Sequence, residues 1–342
     1  MKQNRLSTGK LLNVYGNLNE AGYAFSLVKD YNRKDIKANK LRIKEWDYYY
    51  IGNDSFGFAF TIADNSYMAL GSVSLLDFTN KRYITKSIMK WFTMGKLNLP
   101  STSKVGDVFF KSKKLQLEFL NNGKSRTIKC KFIKFDKQLD LDCEIELFDE
   151  IDDSMVIATP FEKKKHFYYN QKINCMRAKG KAIVGGKIYH FKPEESFGTL
   201  DWGRGVWTYA NTWYWSSMSS VIDGKRIGFN LGYGFGDTSA ASENMIFYDG
   251  KGYKTESVTF HIPKDENGKD DFMKPWKFTS NDNSVNLTFT PIIDRRDYTN
   301  VLIIKSLQDQ VFGTFNGELK FADKTIKINN LLGFAEKVRN NW

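Results

Sequence analysis

Apolar and polar residues alternate along most of the chain with the two-residue period of β-strands. The clearest segment is Leu139–Leu147, where acidic residues separate the apolar ones, as in an antiparallel strand with one face in water. The same alternation recurs in five other segments: Leu115, Leu117 and Phe119; Ile128, Cys130 and Phe132; Val258, Phe260 and Ile262; Val285, Leu287 and Phe289; Ile326 and Ile328. The pattern predicts an all-β protein.

Dipeptides typical of tight hairpin turns separate these segments. They are Asn122-Gly123, Asp223-Gly224, Asp249-Gly250 and Asn316-Gly317. So many hairpins favour a meander or barrel topology.

One segment, at about residues 80–94, has the period of an amphipathic helix. Its predicted apolar face consists of Ile84, Ile88, Trp91 and Phe92, and its basic face of Arg82, Lys86 and Lys90. We predict a helix packed on a barrel with its lysines in water. Contact with a membrane surface, or a lid over a pocket, is the alternative.

The chain has 342 residues, a length that suits two domains, each able to bury its own core. A proline and a run of charges interrupt the strand pattern between Thr159 and Lys165. We therefore predict an N-terminal domain over residues 1–162 and a C-terminal domain over residues 163–342.

Apolar residues make up 41% of the chain and form no long uninterrupted run, which predicts a soluble protein without a membrane span. The first residues lack the hydrophobic segment and cleavage site of a secretory signal, so we expect a cytoplasmic protein. The net charge of +12 is compatible with nucleic acid, but no recognition motif accompanies it, and we do not expect a nucleic-acid partner.

Metal and cofactor signals are missing from the sequence. The three cysteines form no Cys-x-x-Cys pair, and the three histidines are far apart, which argues against a disulfide framework and a metal site. A glycine-rich segment, Gly228–Gly236, has strand spacing and no helix after it, so it is not a dinucleotide fingerprint. We expect no metal, nucleotide or flavin.

Residues 195–215 contain four of the eight tryptophans beside one carboxylate and one guanidinium. At strand spacing, one face carries Trp207, Tyr209, Asn211, Trp213 and Trp215. This aromatic face is either core or the wall of a cavity for an apolar or planar ligand. The neighbouring Asp201-Trp-Gly-Arg204 favours the cavity, because a charged pair beside so much indole is costly to bury.

Two opposing effects bear on Asp201. Burial against Trp202 would raise its pKa and make it a candidate general acid, whereas a salt bridge to Arg204 would lower the pKa and keep it ionised. The pair is also compatible with a purely architectural role, and Arg204 with recognition of an acidic headgroup.

The segment Gly228–Gly236 places large side chains on one face of a strand and almost none on the other. The bare face, which includes Asn230, allows close approach of a backbone, a ring or a ligand. Glu243 and Asn244 follow and are candidates for a second carboxylate and an amide in the same pocket. A local turn is the alternative for Asn244.

Several motifs follow the layout of one family. They are Pro160, Phe197-Gly198, Asp201–Trp207, Trp213–Trp215, Gly228–Gly232, Gly234–Asp237, Glu243–Met245, Pro275–Phe278, Phe312-Gly313, Phe334–Glu336 and Trp342. Over essentially its whole length the chain resembles a bacterial family known as domain of unknown function 2804. That family brings no established activity.

A more distant resemblance rests on the order of Asp201, Trp213–Trp215 and the turn at Asp223-Gly224. In these features the chain is similar to the group of carotenoid hydratases, tocopherol cyclases and survival-factor-like proteins. The resemblance implies two lipocalin-like barrels that hold an isoprenoid, polyketide or sphingolipid-like molecule. The hydratase pattern has a histidine after the aspartate, where this chain has Trp202, which weighs against hydration.

We therefore expect two lipocalin-like antiparallel barrels or strongly curved sheets packed together, with one or two short helices. The leading hypothesis is binding of a hydrophobic or amphipathic small molecule. The candidate ligand-binding residues are Trp202, Arg204, Trp207, Tyr209, Trp213, Trp215, Asn230 and Asn244. The alternatives are an isomerase, cyclase or hydratase, with Asp201 as general acid and Glu243 as a second carboxylate, and a carbohydrate-binding module.

Overall fold

The computed structural model describes residues 3–148, 153–301 and 304–341. Almost all regular structure is β-strand, and the strands form two strongly curved antiparallel sheets, so the predicted fold class is confirmed. The described helices are two short 3-10 turns, Arg33–Asp35 and Lys40–Arg42. In this part of the chain no helix has the length and hydropathy needed to cross a membrane.

The first sheet is formed by strands up to Val206. The strands in this part of the chain are β1 (Gly9–Lys10), β2 (Gly22–Ala24), β3 (Lys29–Asp30), β4 (Ile43–Gly52), β5 (Phe56–Asp64), β6 (Met68–Asp77), β7 (Arg82–Trp91), β8 (Val108–Lys111), β9 (Leu115–Asn121), β10 (Arg126–Asp136), β11 (Leu139–Phe148), β12 (Met155–Pro160), β13 (Phe167–Val184), β14 (Lys187–Phe191) and β15 (Phe197–Val206). The main order is β7-β6-β5-β4-β15-β13-β11-β10-β9-β8. Strands β12 and β14 pair with β13, β2 pairs with β12, and β1 and β3 form a separate parallel pair.

The second sheet contains the remaining nine strands. They are β16 (Ala210–Ile222), β17 (Lys225–Tyr233), β18 (Met245–Tyr248), β19 (Lys251–Lys254), β20 (Val258–His261), β21 (Trp276–Ser280), β22 (Val285–Val301), β23 (Ile304–Phe321) and β24 (Lys324–Asn341). Their order is β19-β18-β17-β16-β24-β23-β22-β21-β20. The sheet curls back on itself, so that β20 at one edge approaches β17 near the other edge. There the Phe260 amide on β20 donates to the Tyr233 hydroxyl on β17 at 3.3 Å.

The chain passes from the first sheet to the second between Val206 and Ala210. Strands β13 and β15 follow residue 163, yet they pair within the first sheet, and β15 lies directly against β4. The predicted division at residues 162 and 163 therefore does not coincide with the change of sheet.

The predicted helix at residues 80–94 is wrong. Residues Arg82–Trp91 form β7, which pairs with β6 along its whole length. The error has a simple physical cause, since Ile84 and Ile88 are four residues apart and share a face in a helix and in a strand alike. Both pack against the core of the first sheet.

Three of the four predicted turn dipeptides lie between paired strands. Asp223-Gly224 and Asp249-Gly250 have positive φ at both residues, as a tight type I′ hairpin requires. Asn122-Gly123 connects β9 with β10. Asn316-Gly317 instead lies inside β23 at a β-bulge.

Each sheet encloses its own apolar core on its concave side. Two further clusters combine side chains of both sheets and lie between them: Tyr48, Tyr50, Ala59, Leu76, Phe78, Trp215, Ile293, Phe312 and Phe334; and Met155, Ile157, Tyr168, Cys175, Trp207, Phe235, Met245 and Phe247. We call this region the intersheet layer. It holds the sheets together through aromatic packing.

Two glycines leave room for a neighbour in the intersheet layer: Gly203 for a ring of its own sheet, and Gly228 for a side chain of the other sheet. A Cβ at Gly203 would lie 1.9 Å from the Trp46 ring, and a Cβ at Gly228 would lie 2.6 Å from Cys175 Sγ. The bare glycine face predicted for β17 is thus used for close approach of the other sheet.

We predict that Gly203→Ala lowers the free energy of unfolding by about 3 kcal/mol, because the new methyl group overlaps an indole ring. Gly198→Ala is a control on the same strand, where the new Cβ meets only the flexible end of Leu147. It should cost about 1 kcal/mol or less. Urea unfolding measures both, and equal losses would contradict the close fit of Gly203 against the Trp46 ring.

Candidate functional site

Strand β15 divides the Asp201–Arg204 motif between two environments. The side chains of Trp202 and Arg204 point into the first sheet's core, whereas Asp201 faces the intersheet layer. Residues three apart lie on opposite faces of a strand, so the expected ion pair between Asp201 and Arg204 is not formed.

Arg204 has an architectural environment. Its guanidinium is fully buried, lies 2.9 Å from the Asp47 carboxylate, and donates to the carbonyl oxygens of Trp46 and Pro100 at 2.8 Å. Its Cζ lies 4.3 Å from the centroid of the Trp202 ring. Both predicted ligand-binding side chains, Trp202 and Arg204, are therefore placed in the core and not beside Asp201.

Asp201 pairs instead with Lys172 on β13. The antiparallel register puts the two residues opposite each other, and Lys172 Nζ lies 2.8 Å from Asp201 Oδ2. Asp201 Oδ1 accepts a hydrogen bond from Asn170 Nδ2 at 2.6 Å. Lys172 Nζ also lies 3.9 Å from the centroid of the Trp215 ring, so one buried ammonium contacts both sheets.

Two carboxyl groups of the second sheet approach the same lysine. Glu243 precedes β18 and fits over Gly232, where a Cβ would lie 2.6 Å from its Oε1. Glu336 lies on β24 opposite Trp215 and accepts hydrogen bonds from Trp213 Nε1 and Gln310 Nε2, each at 2.9 Å. We call Asp201, Glu243 and Glu336 the carboxyl cluster.

The electrostatics of the cluster favour retained protons. Burial raises the pKa of Glu243 and of Glu336; Lys172 lowers both pKa values, and Asp201 raises both. Lys254 also lowers the pKa of Glu243 and Arg295 that of Glu336, but burial is the largest effect on both groups and favours the neutral, protonated carboxyl. Among the residues that the structure describes, no three His, Cys, Asp or Glu side chains are placed to hold a metal ion.

Polar atoms around the cluster have spare hydrogen-bonding capacity. The amide oxygens of Asn170 and Asn174 are buried and accept no hydrogen bond within the described ranges. Tyr168 lies in the same layer, and its pKa is raised by burial and further by Glu243, Asp201 and Glu336. Buried polar atoms without partners are uncommon, and here they point to a bound donor such as water or a ligand.

The predicted aromatic wall is divided among three places. Trp207, Trp213 and Trp215 belong to the intersheet layer, and the ring centroids of Trp207 and Trp213 are 5.8 Å apart. Trp202 lies in the first core, and Tyr209 is 49% exposed at the surface before β16. Trp213 and Trp215 share a face through the strand period of β16, whereas Trp207 reaches the layer from the connection between β15 and β16.

The two predicted asparagines differ in their surroundings. Asn230 lies in the layer, where it accepts a hydrogen bond from Trp215 Nε1 at 2.6 Å and donates to the carbonyl oxygen of Glu243 at 2.8 Å. Asn244 accepts a hydrogen bond from the Gly232 amide and donates one to the Glu256 carbonyl oxygen, both twelve residues away and so not a local turn. Asn230 is therefore beside the carboxyl cluster, and Asn244 supports the backbone around it.

Sequence reasoning missed Lys172, Asn170 and Glu336. A signal for the first two is present in Asn170-Gln-Lys172-Ile-Asn174, where polar residues recur at strand spacing in an otherwise apolar segment. Glu336 lay in a motif of the family resemblance but was given no role. Its approach to Asp201 depends on how the sheets pack, which no local pattern records.

A small cavity reaches one end of the layer. Its volume is about 30 Å³, and its lining includes Tyr50, Thr199, Ser217 and Phe334. This space accommodates water and not a lipid-sized molecule. A larger ligand therefore requires the side chains or the sheets to move.

The fold and the site define a protein of two curved antiparallel sheets with ionisable groups buried between them. A family model described as a domain of unknown function, DUF2804, matches residues 2–342. The chain belongs to this family, which confirms the first resemblance stated from the sequence. The search of curated proteins found no match.

Similar solved structures share little sequence with the chain. A protein provisionally assigned as AttH from Nitrosomonas europaea has a TM-score of 0.55 and 12% identity, covering 92% of this chain and 98% of its own. Kievitone hydratase from Nectria haematococca has a TM-score of 0.48 and 11% identity, covering 99% and 97%. CghA with Sch210972 has a TM-score of 0.44 and 9% identity, covering 88% and 89%. The likeness to the first of these shows the fold alone.

We predict that Glu336→Gln weakens the pH dependence of stability. A carboxyl whose pKa is raised on folding stabilises the protein fully below its unfolded pKa of about 4.3, and this stabilisation is lost as pH rises through the folded pKa. The slope of the free energy of unfolding against pH should become smaller by up to about 1.4 kcal/mol per pH unit, because one titrating carboxyl is removed. Urea unfolding at a series of pH values measures it.

Glu266→Gln, at an exposed loop position, is the matched control and should keep the wild-type slope. A wild-type slope in Glu336→Gln would mean that Glu336 holds no extra proton in the folded state.

Proposed function

We propose that the chain is a cofactor-independent isomerase, cyclase or hydratase that acts on a hydrophobic or amphipathic small molecule in the intersheet layer. The observation that carries the proposal is the carboxyl cluster around Lys172. Buried carboxyl groups with shifted pKa values around a lysine are a common property of acid–base sites, whereas well-packed apolar residues would fill the same layer at no cost in stability.

Glu243 is the candidate general acid. Both oxygens of Asp201 are engaged, by Asn170 and Lys172, and both oxygens of Glu336 accept hydrogen bonds from Trp213 and glutamine side chains. The pKa of Glu243 is raised by burial, which favours the neutral, proton-donating form. The role that the sequence assigned to Asp201 therefore passes to Glu243.

A proton moved from the Glu243 carboxyl to a substrate double bond leaves a carboxylate and a positively charged substrate. The rings of Trp213 and Tyr168 lie in the same layer and would stabilise that charge through their faces. Return of a different substrate proton to the carboxylate completes an isomerisation or cyclisation. Attack by water, with its proton passing to the carboxylate, completes a hydration.

Simple carriage of a lipid, the leading hypothesis from the sequence, has less support. Carriage gives the buried carboxyl groups around Lys172 no role. The packing of Trp207 and Trp213 against Phe235, with ring centroids 4.8 and 5.2 Å away, has to open for a carried lipid and for a substrate alike. Sugar binding is also less favoured, because Trp207 and Trp215 are buried and offer no open face for stacking.

The proposal predicts turnover that depends on Glu243. Wild-type protein in D2O buffer is incubated with farnesol, β-ionone and a crude bacterial lipid extract, and mass spectrometry records deuterium incorporation or the addition of water. Glu243→Gln should lose activity by about 100-fold or more, because the amide cannot donate the required proton.

Glu266→Gln serves again as the control and should retain full activity. Circular dichroism and thermal unfolding establish that Glu243→Gln is folded. Equal turnover by Glu243→Gln would contradict the role of Glu243, and tight binding without turnover by the wild type would favour a carrier.

A further inference from the structure

The end of β7 carries an unusual set of exposed apolar side chains. Trp91 is 61% exposed and Phe92 is 70% exposed, and Met89 and Met94 lie close by in sequence with about half of their surface in water. Large apolar residues exposed within one short segment exceed what a soluble surface normally carries, and they mark an interaction site.

The backbone holds this segment in a fixed shape. The amides of Phe92 and Met94 donate to the carbonyl oxygens of Tyr67 and Ser66 at 2.7 and 2.8 Å. Between them, the buried Thr93 donates through its hydroxyl to Asp64 Oδ1 at 2.9 Å. The two apolar side chains are therefore displayed outward by a loop that is anchored on both sides.

Phe92 and Met94 both adopt a backbone conformation that large apolar residues rarely adopt. Phe92 has φ of 53° and Met94 has φ of 52°, in the left-handed region where glycine and asparagine are preferred. Their presence costs backbone strain, and no core packing offsets it because the side chains are exposed. A function for the side chains accounts for both observations.

The charge around the loop selects the kind of partner. Residues 86–106, nearest the loop in sequence, contain four basic side chains and no Asp or Glu: Lys86, Lys90, Lys96 and Lys104. Lys86 and Lys96 are exposed. Protruding aromatic side chains next to lysines are suited to a soft anionic interface, in which the rings enter the acyl boundary and the lysines meet headgroups.

We propose that the loop at the end of β7, with Trp91, Phe92 and Met94 at its tip, docks the protein on an anionic lipid bilayer. The contact is peripheral and uses the edge of the first sheet. It does not rest on the acid–base function of the intersheet layer, although a membrane is a natural source of hydrophobic small molecules.

The test is flotation of the full chain with vesicles of phosphatidylcholine alone or mixed with phosphatidylglycerol. Wild-type protein should float with the mixed vesicles and much less with the neutral ones, and added salt should weaken the binding. Phe92→Asn/Met94→Asn should reduce vesicle binding by roughly tenfold or more, because two inserting side chains are lost. Lys86→Gln/Lys96→Gln should reduce binding to the anionic vesicles by about fivefold per lysine.

The asparagine variant separates binding from folding. Asparagine suits the left-handed backbone, so this variant should unfold at a temperature equal to or above that of the wild type. Met273→Ser removes an exposed apolar residue of the connection between β20 and β21 and should bind vesicles as the wild type does. Equal binding of both vesicle types, or undiminished binding by Phe92→Asn/Met94→Asn, would overturn the proposal. The proposal would also be overturned if the wild-type protein were a dimer that does not bind vesicles and Phe92→Asn/Met94→Asn were a monomer.

Discussion

The contacts of the Lys172 ammonium group are the constraint on which the candidate site between the two sheets depends. The ammonium group belongs to the first sheet, where it pairs with Asp201, and it lies on the ring of Trp215 in the second. The carboxyl groups of Glu243 and Glu336 come from the second sheet and are both stabilised in their charged form by the same lysine. This buried cation therefore links the sheets electrostatically, and its loss would leave Asp201 without its ion-pair partner beside a layer of aromatic rings.

Strand alternation explains how such a site coexists with a stable core. On β15, Trp202 and Arg204 complete the interior of the first sheet, while Asp201 and Gly203 face the intersheet layer. The same strand thus supports the fold with one face and presents chemistry with the other. Glycines supply the space: Gly203 admits the Trp46 ring and Gly232 admits the Glu243 carboxylate.

The fold class could be predicted from the sequence because alternation is a local property, and the segments around Cys130 and Cys143 pair in the structure as neighbouring strands. The helix at residues 80–94 was a wrong prediction because a four-residue spacing satisfies both periods. The structure places Trp91 at the end of an edge strand and Phe92 directly after it, and both side chains are exposed.

The site was predicted only in part. Asp201, Glu243, Trp213, Trp215 and Asn230 do meet in the intersheet layer. The sequence paired Asp201 with the nearest cation along the chain, although a three-residue separation places the two on opposite faces. Lys172 stands opposite Asp201 through the register of β13 and β15, and Glu336 joins through the packing of two sheets. Neither relation is visible in local spacing.

The most direct test of the central claim is a double-mutant cycle of Lys172→Met and Asp201→Asn, measured by urea unfolding at neutral pH. Lys172→Met alone should lose about 3–5 kcal/mol, because it leaves buried carboxyl groups without their counterion. The double variant should be more stable than Lys172→Met, since one of those carboxyl groups is gone. A double variant that loses the sum of the two single effects would show that Lys172 does not hold the cluster together.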